Sequence, residues 1–167
     1  IRADEHGNAV IADDAHSWYR GVLGERRVAA LLNELENCTV LHSVPVGSGT
    51  TDIDHIVISE SGVFTINTKY SPGRDVWCAG YGMRVNNHPQ RYVKASIDEA
   101  GGAAERLSRA TGFAVPVTGI IVFIDPRKLT QTAPLGEPGA PEIRVVRDVR
   151  LLSALRGPAV FSPEGLA

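Results

Sequence analysis

The amino-acid sequence predicts a mixed α/β fold in which helices pack against a β-sheet. Two observations predict this class: apolar residues repeat at helical spacing in two long segments, and they alternate or run continuously at strand spacing in several segments between them. The predicted order is a helix, a strand, a hairpin, a helix, a buried strand, a loop, a short strand and a last helix. Such an order indicates layers of helix and sheet around one core.

The bulk composition is that of an ordinary soluble domain. The chain has 167 residues, of which 43% are apolar and 22% charged. No apolar run approaches the roughly 18 residues that a membrane span requires, so we expect a soluble protein without a membrane segment, and its unpaired cysteines favour a reducing, cytoplasmic location. The net charge of −2 argues against a protein that coats nucleic acid through general basicity. Cys38 and Cys78 match no metal-ligand spacing and predict free thiols.

The chain divides into three predicted parts. Residues 1–15 are polar and aperiodic and predict an N-terminal arm, residues 16–157 form the domain, and residues 158–167 form a C-terminal tail. The first residue is Ile rather than Met, so we allow for fused domains or a protein partner outside this sequence. The oligomeric state is left open.

The first helix is predicted from about Ser17 to Leu35, with Gly21 and Gly24 expected to split it into two pieces. Glu25 falls inside its apolar stripe, where a charge is costly unless it has a partner. Two interpretations stay open. Glu25 pairs with a neighbouring arginine or strand residue, or it faces a metal ion or a charged substrate.

The remaining elements are predicted from alternation, turn residues and capping residues. They are a strand at 38–46, a hairpin at 53–59 and 63–70 around the turn 60–62, a second hairpin within 75–85, a helix at 89–110 with a weak point at 101–102, a strand at 115–124 buried on both faces, a loop at 125–142, a strand at 143–146 and a helix through Leu155 capped by Asp148.

The first hairpin carries an unusual set of polar residues in TDIDHIVISESGVFTINTKY (51–70). A hairpin loop with an even number of residues pairs positions whose numbers sum to an odd value, which places Asp52 and Asp54 on the same face as Asn67 and Lys69. Ile53, Val57, Phe64 and Ile66 then form the core face. His55 shares that face, so we expect a packed histidine rather than a metal ligand.

Carboxylate and amide oxygens about 5 Å apart across strands suit Mg²⁺ or Mn²⁺. A neighbouring lysine can position the attacking water and stabilise charge on a phosphate. Together these groups are the parts of metal-assisted phosphodiester hydrolysis. The plainer interpretation is a cross-strand ion pair between Asp54 and Lys69 on a solvated sheet face.

Three segments carry a family resemblance: RGVLGERRVAALL (20–32), TDIDHIVISESGVFTINTKYSPG (51–73) and HPQRY (88–92). Together they resemble the nuclease-related domain, NERD, a family of the PD-(D/E)XK nuclease superfamily. The resemblance extends over about residues 18–125. It implies a restriction-endonuclease-like mixed sheet with a central hairpin, flanked by helices, and a nuclease activity that depends on Mg²⁺ or Mn²⁺.

The resemblance also implies a site. Asp54 matches the aspartate at the start of the family's hairpin, Lys69 matches its lysine, and Glu25 matches an acidic residue on the first helix that supports the metal. Gln90 matches a helix glutamine of related nucleases. The resemblance therefore implies a catalytic set of Asp54, Lys69, Glu25 and Asn67, with the metal held by Asp54, Asn67 and Glu25.

Asn67 departs from the family pattern, which has Glu or Asp at this position. Asn keeps a carbonyl oxygen for a metal but brings no negative charge, so Mg²⁺ affinity should fall. Asp52 or Glu25 would offset the loss. Asn67→Glu should then tighten Mg²⁺ binding by roughly an order of magnitude.

Three functions are consistent with the sequence. The first is a nuclease acting on DNA, or on RNA, with Gln90, Arg91, Lys94 and Arg74 as candidate nucleic-acid contacts. The second is a catalytically degenerate module that binds nucleic acid or a partner on the same fold. The third is a signalling or scaffold domain within a larger chain.

Overall fold

The structure, a computed structural model, describes residues 2–3, 9–10, 13–46 and 52–161, with the side chains of the first helix described from Trp18 onward. Residues 47–51, between the predicted strand at 38–46 and the first hairpin, lie outside the described residues. In chain order the elements are β1 (Arg2–Ala3), β2 (Ala9–Val10), α1 (Asp13–Leu32), β3 (Cys38–Pro45), β4 (Asp52–Ser59), β5 (Gly62–Tyr70), β6 (Asp75–Gly80), β7 (Gly82–Val85), β8 (His88–Gln90), α2 (Tyr92–Thr111), β9 (Val117–Ile124), β10 (Lys128–Leu135), β11 (Ile143–Arg147) and α3 (Leu151–Ala154).

The central sheet has five strands in the order β11-β9-β5-β4-β3. The hairpin strands β4 and β5 are antiparallel, as are β3 and β4, whereas β5, β9 and β11 run parallel. β9 (VTGIIVFI) is apolar throughout because it lies in the middle of the sheet with both faces covered. A smaller four-stranded sheet, β10-β6-β7-β8, follows the hairpin. The predicted mixed α/β, restriction-endonuclease-like fold is confirmed.

Helices cover both faces of the central sheet. On one face, Val28 and Leu32 of α1 pack with Phe64, Ile66 and the even-numbered residues of β9. On the other face, Ala100 and Ala103 of α2 pack against residues that include Val63 and Val117. The small sheet closes the same side as α2, with residues such as Val76 and Met83 packed on Ile121 and Phe123.

Two glycines let the helices approach the sheet closely. A Cβ at Gly24 of α1 would lie 3.1 Å from Thr68 Cγ2, and a Cβ at Gly119 of β9 would lie 2.5 Å from Ser96 Oγ of α2. Each helix therefore passes within contact distance of the sheet backbone. Glu25 on α1 and Glu99 on α2 lie next to these two contact points, on opposite faces of the sheet.

Several predicted elements are confirmed. The strand at 38–46, both hairpins, the buried strand and the short strand at 143–146 match β3, β4–β5, β6–β7, β9 and β11 to within a few residues. Among the described residues, both cysteines are free.

No helix in the described part of the chain is long and apolar enough to cross a membrane.

Other predictions were wrong. Gly21 and Gly24 do not split α1, which is one helix from Asp13, because Gly24 is used for close packing rather than as a break. Gly101 and Gly102 likewise leave α2 continuous. The segment expected to be a proline-rich loop contains β10, which extends the small sheet beside β6.

Two further corrections concern single residues. Gln90 is not on a helix: it ends β8, which pairs with β7, and α2 begins only at Tyr92. Asp148 does not occupy a cap position: it is the first residue of the 3₁₀ turn Asp148–Arg150, and the cap residue is Arg147. Asp148 is buried and instead forms an ion pair of 2.6 Å with Arg27 of α1, which ties the last turns of the chain to the first helix.

Candidate metal centre

The hairpin register places the predicted polar residues on one face. His55 pairs with Ile66 and Val57 with Phe64, so Asp54 shares a face with Asn67 and Lys69, as the predicted parity requires. That face is not a solvated surface. Its other members, Ile56, Val63 and Thr65, are buried beneath α2 and its flanking segments. Solvent therefore reaches this face only at the open end of the hairpin, where Asp52 is exposed and Asp54 and Lys69 are half-buried.

Asp54 lies where the β4–β5 ladder ends. Its Oδ2 accepts a hydrogen bond of 2.6 Å from the backbone N–H of Thr68, which replaces the ladder bond that β4 no longer provides. Burial raises the pKa of Asp54, and the bond from Thr68 and the charge of Lys69 lower it. Because the bond uses one carboxylate oxygen, the other oxygen is left for a ligand.

Asn67 bonds to a residue that sequence reasoning did not select. Its Nδ2 donates to both carboxylate oxygens of Glu99 on α2, at 3.1 Å to Oε1 and 3.3 Å to Oε2. Its Oδ1 is buried and has no hydrogen-bond partner among the described residues. A buried carbonyl oxygen without a partner is costly, and a cation or a water held by a cation would supply one.

Glu99 stands on the turn of α2 that touches the sheet, one turn after Ser96, which contacts Gly119. Burial raises the pKa of Glu99, the bond from Asn67 lowers it, and the charges of Asp54 and Lys69 act on it in opposite directions. Glu99 is therefore close enough to both hairpin residues to share one electrostatic site with them.

Lys69 lies at the other end of this face. Its Nζ sits 4.7 Å from the centre of the Tyr92 ring, a cation–π distance. Burial lowers the pKa of Lys69, whereas the carboxylates of Asp54, Glu99 and Glu25 raise it. Lys69 thus carries the positive charge within a group of carboxylates from three different elements.

Glu25 lies on α1, which packs on the opposite face of the sheet, but the charges of the hairpin residues act on it. Burial raises its pKa, the charges of Asp54 and Asp52 raise it further, and Lys69 lowers it. Both interpretations of Glu25 stay open, because Lys69 is a possible strand partner and Asp54 and Asp52 belong to the proposed metal site. Asp52 is exposed at the start of β4. The negative charges of this cluster exceed the positive one, which is an arrangement that a divalent cation would stabilise.

An open cleft of about 760 Å³ adjoins the cluster. It is lined by residues that include Arg20, Lys69, Arg74, His88, Gln90 and Tyr92. Lys69 belongs to both the cleft and the cluster, whereas the carboxylates lie beside the cleft. Of the four candidate nucleic-acid contacts, Arg74 and Gln90 line it; Arg91 does not, and Lys94 forms an ion pair with Asp98 on the exposed side of α2.

A family model for the nuclease-related domain, NERD, matches residues 20–124, which is more than half of the chain. The chain belongs to the NERD family. The match covers α1 from Arg20, both hairpins, α2 and β9, and so includes every residue of the cluster described above.

One curated relative of this NERD domain is an uncharacterized protein of Bacillus anthracis, pXO1-01, which is 41% identical over 71 residues. That alignment covers 40% of this chain and 33% of the relative, so the aligned part spans about a third of the length of the relative. The comparison with solved structures gave no significant match.

The donor set of this NERD domain fits a hard cation. In the described part of the chain, no group of three or more His, Cys, Asp or Glu residues forms a ready metal cage. What the hairpin offers is a carboxylate oxygen of Asp54 and the buried carbonyl oxygen of Asn67. Mg²⁺ is commonly held in this way, by one or two carboxylates plus water and substrate phosphate rather than by a protein cage.

The apolar pattern of α2 indicates that Glu99 lies close to the sheet-facing side of the helix. The buried residues of α2 are Val93, Ser96, Ala100 and Ala103, and Glu99 lies beside this stripe, next to Ala100. A carboxylate on the sheet-facing side of a helix needs a partner, which is the same reasoning that singled out Glu25.

Proposed function

We propose that this domain is a metal-dependent nuclease that hydrolyses phosphodiester bonds in DNA, using Mg²⁺ or Mn²⁺. The observation that carries the proposal is the buried Oδ1 of Asn67, which has no partner among the described residues and lies on the same hairpin face as Asp54 and Lys69. Membership of a nuclease-related family supports the same chemistry.

Asp54 and the Asn67 carbonyl would hold the cation, and Glu25 would support it or its waters from α1. When bound, the cation would lower the pKa of an attacking water and neutralise charge on the scissile phosphate. Burial raises the pKa of Asp54 and Glu25 because it disfavours their charged forms, and a bound cation would offset that cost.

Lys69 would act on the substrate. Its ammonium group lies where the carboxylate cluster meets the cleft, so it can donate to a phosphate oxygen from the cleft side while the carboxylates hold its charged form. The Tyr92 ring limits the directions that Nζ can take. Lys69 therefore orients the water and stabilises the negative charge that develops on the phosphate.

The cleft would take the nucleic-acid backbone. Arg20 and Arg74 are always charged and suit phosphate oxygens, and Gln90 can donate to phosphate or sugar. These contacts are to the backbone and do not select a base sequence. DNA is the proposed substrate, and cleavage of RNA alone is an outcome of the test that would redirect this part of the proposal.

The test is cleavage of supercoiled plasmid and of end-labelled DNA and RNA oligonucleotides with Mg²⁺, with Mn²⁺ and with a chelator. Wild type should cut only with metal. Asp54→Asn and Lys69→Met should each lose at least 100-fold in rate, in keeping with the usual effect of removing a charge-stabilising group. Glu105→Gln, an exposed change on α2, is the matched control and should cut like wild type. Metal-dependent cleavage that persists in both site variants would remove this site from consideration.

A second candidate is a module that binds nucleic acid without cutting it. The observation that favours it is Asn67, which stands where the family pattern has an acidic residue. Wild type that binds DNA in a salt-dependent manner, yet leaves it intact with Mg²⁺ and with Mn²⁺, would support this candidate over the first.

A further inference from the structure

The family pattern places an acidic side chain at position 67, and this chain has Asn67 there instead. The structure places another carboxylate, that of Glu99, directly against the Asn67 amide, although the two residues are 32 positions apart in the chain. We propose that Glu99 supplies the carboxylate that position 67 lacks, so that Asn67 and Glu99 together form one metal-binding unit. This inference rests on the proposed function and adds a residue to its site.

The hydrogen bonds fix how the unit is oriented. An ionised carboxylate accepts hydrogen bonds and does not donate them, so only the Nδ2 side of the Asn67 amide can face Glu99. Both Glu99 oxygens lie within hydrogen-bond distance of Nδ2, and Oδ1 consequently points away from Glu99. That oxygen is the buried atom without a partner. The hydrogen bonds to Glu99 therefore fix the direction of the Asn67 carbonyl, and the Glu99 carboxylate adds a negative charge beside the Asn67 side chain.

The electrostatic neighbours of Glu99 are those of the site. Glu99 bonds to Asn67, which shares its hairpin face with Asp54 and Lys69, so the Glu99 carboxylate lies on the side of the hairpin proposed to hold the cation and the substrate. Asp54 and Glu99 are like charges held close together with part of their solvent removed. A divalent cation held by Asp54 and the Asn67 carbonyl oxygen would be attracted by both carboxylates and would offset that repulsion.

The fold keeps Glu99 in reach of β5. Gly119 faces Thr65 of β5 in the parallel ladder, and Ser96 of α2 rests directly on Gly119. Asn67 lies two residues along β5 from Thr65, and Glu99 lies three residues along α2 from Ser96. Strand and helix therefore both run from this contact point toward the site. The close glycine contact is what lets a short glutamate side chain reach the strand.

A purely structural role predicts a different outcome from a metal-binding role. If Glu99 only satisfied the Asn67 amide, then Glu99→Gln would be harmless, because the amide oxygen introduced at position 99 can still accept from Nδ2. If Glu99 supplies charge to a cation, the same substitution removes that charge while it keeps the shape and the hydrogen bond. Glu99→Gln is thus the informative variant.

The experiment is calorimetric titration of Mn²⁺ into the whole chain, alongside the DNA cleavage rate. Glu99→Gln should bind Mn²⁺ at least tenfold more weakly than wild type and cut correspondingly slowly, while its melting temperature without metal is not reduced. Glu105→Gln, the same change on the exposed side of α2, should bind and cut like wild type. Asn67→Glu combined with Glu99→Gln returns the charge to the hairpin and should recover most of the Mn²⁺ affinity.

Two results would overturn the inference, and they are distinguishable. Wild type that binds no Mn²⁺ overturns the proposed function and this inference with it. Mn²⁺ binding that is lost in Asp54→Asn but unchanged in Glu99→Gln overturns the role of Glu99 alone and leaves the proposed function standing.

Discussion

The contact between Asn67 and Glu99 makes Asn67→Glu the most revealing single substitution. In wild type, Asn67 Nδ2 lies 3.1 Å from Glu99 Oε1. A carboxylate oxygen of the longer Glu side chain at the same distance from Glu99 would repel it by about 5 kcal/mol at an effective dielectric constant of about 20. It would also remove a hydrogen bond to a charged group, which contributes about 1.5–3 kcal/mol.

Side-chain rotation and proton uptake will relieve part of this repulsion, so we expect a loss of about 2–4 kcal/mol in the free energy of unfolding without metal at neutral pH. The direction in which this loss of stability changes with pH follows from proton binding. Two facing carboxylates raise the pKa of one of them in the folded state, so the folded protein binds the extra proton first. The loss should therefore grow as pH rises from the ordinary range of glutamate and vanish at acidic pH.

The assay is chemical denaturation of Asn67→Glu and of Asn67→Gln, which has the same length and no charge, between pH 5 and pH 8. Saturating Mn²⁺ should return most of the stability to Asn67→Glu at pH 8 and should stabilise Asn67→Gln less. Equal stability of the two variants at pH 8 without metal would refute the reasoning, because position 67 could not then face Glu99.

Three more outcomes are expected. Gly119→Ala should lower the free energy of unfolding by about 1–3 kcal/mol and weaken Mn²⁺ binding. The reason is that the new Cβ would lie 2.5 Å from Ser96 Oγ and 3.2 Å from the Ser96 backbone oxygen. Unaltered denaturation and titration curves would contradict the close packing of α2. Burial raises the pKa of Asp54 and Glu99, so protons should compete with Mn²⁺ at a higher pH than for ordinary carboxylates, and calorimetry in a pH series should find affinity falling as the solution is acidified. Arg74→Ala should weaken DNA binding and reduce its salt dependence by about one counterion, whereas Arg91→Ala should change little, because Arg74 lines the cleft and Arg91 does not. Equal effects of the two substitutions in a salt-dependent binding assay would argue against the cleft as the nucleic-acid path.

Local patterns in the sequence were sufficient to predict the hairpin and its polar face. Strand alternation and a loop with an even number of residues fix which side chains share a face, so the common face of Asp54, Asn67 and Lys69 followed from the residues alone. The burial of β9 also followed, because a continuous apolar run needs cover on both faces.

Tertiary contacts decided what the sequence did not reveal. The sequence predicted a helix break at Gly24, but the structure uses this glycine where α1 packs closely against the sheet. That contact depends on the folded sheet and not on the local sequence. β10 carries few apolar residues because it lies at the edge of the small sheet, and its segment therefore resembled a loop. Glu99 meets Asn67 only because α2 crosses the sheet at Gly119, and nothing local in the sequence of either element specifies that contact.

The most direct test of the central claim is to locate Mn²⁺ by anomalous scattering in crystals of the wild-type protein at a concentration that supports DNA cleavage. We predict one strong peak within coordination distance of Asp54 and of the Asn67 carbonyl oxygen, on the side of β5 that faces Glu99. A peak elsewhere, or no peak under conditions in which the protein cuts DNA, would contradict the hairpin face as the metal centre.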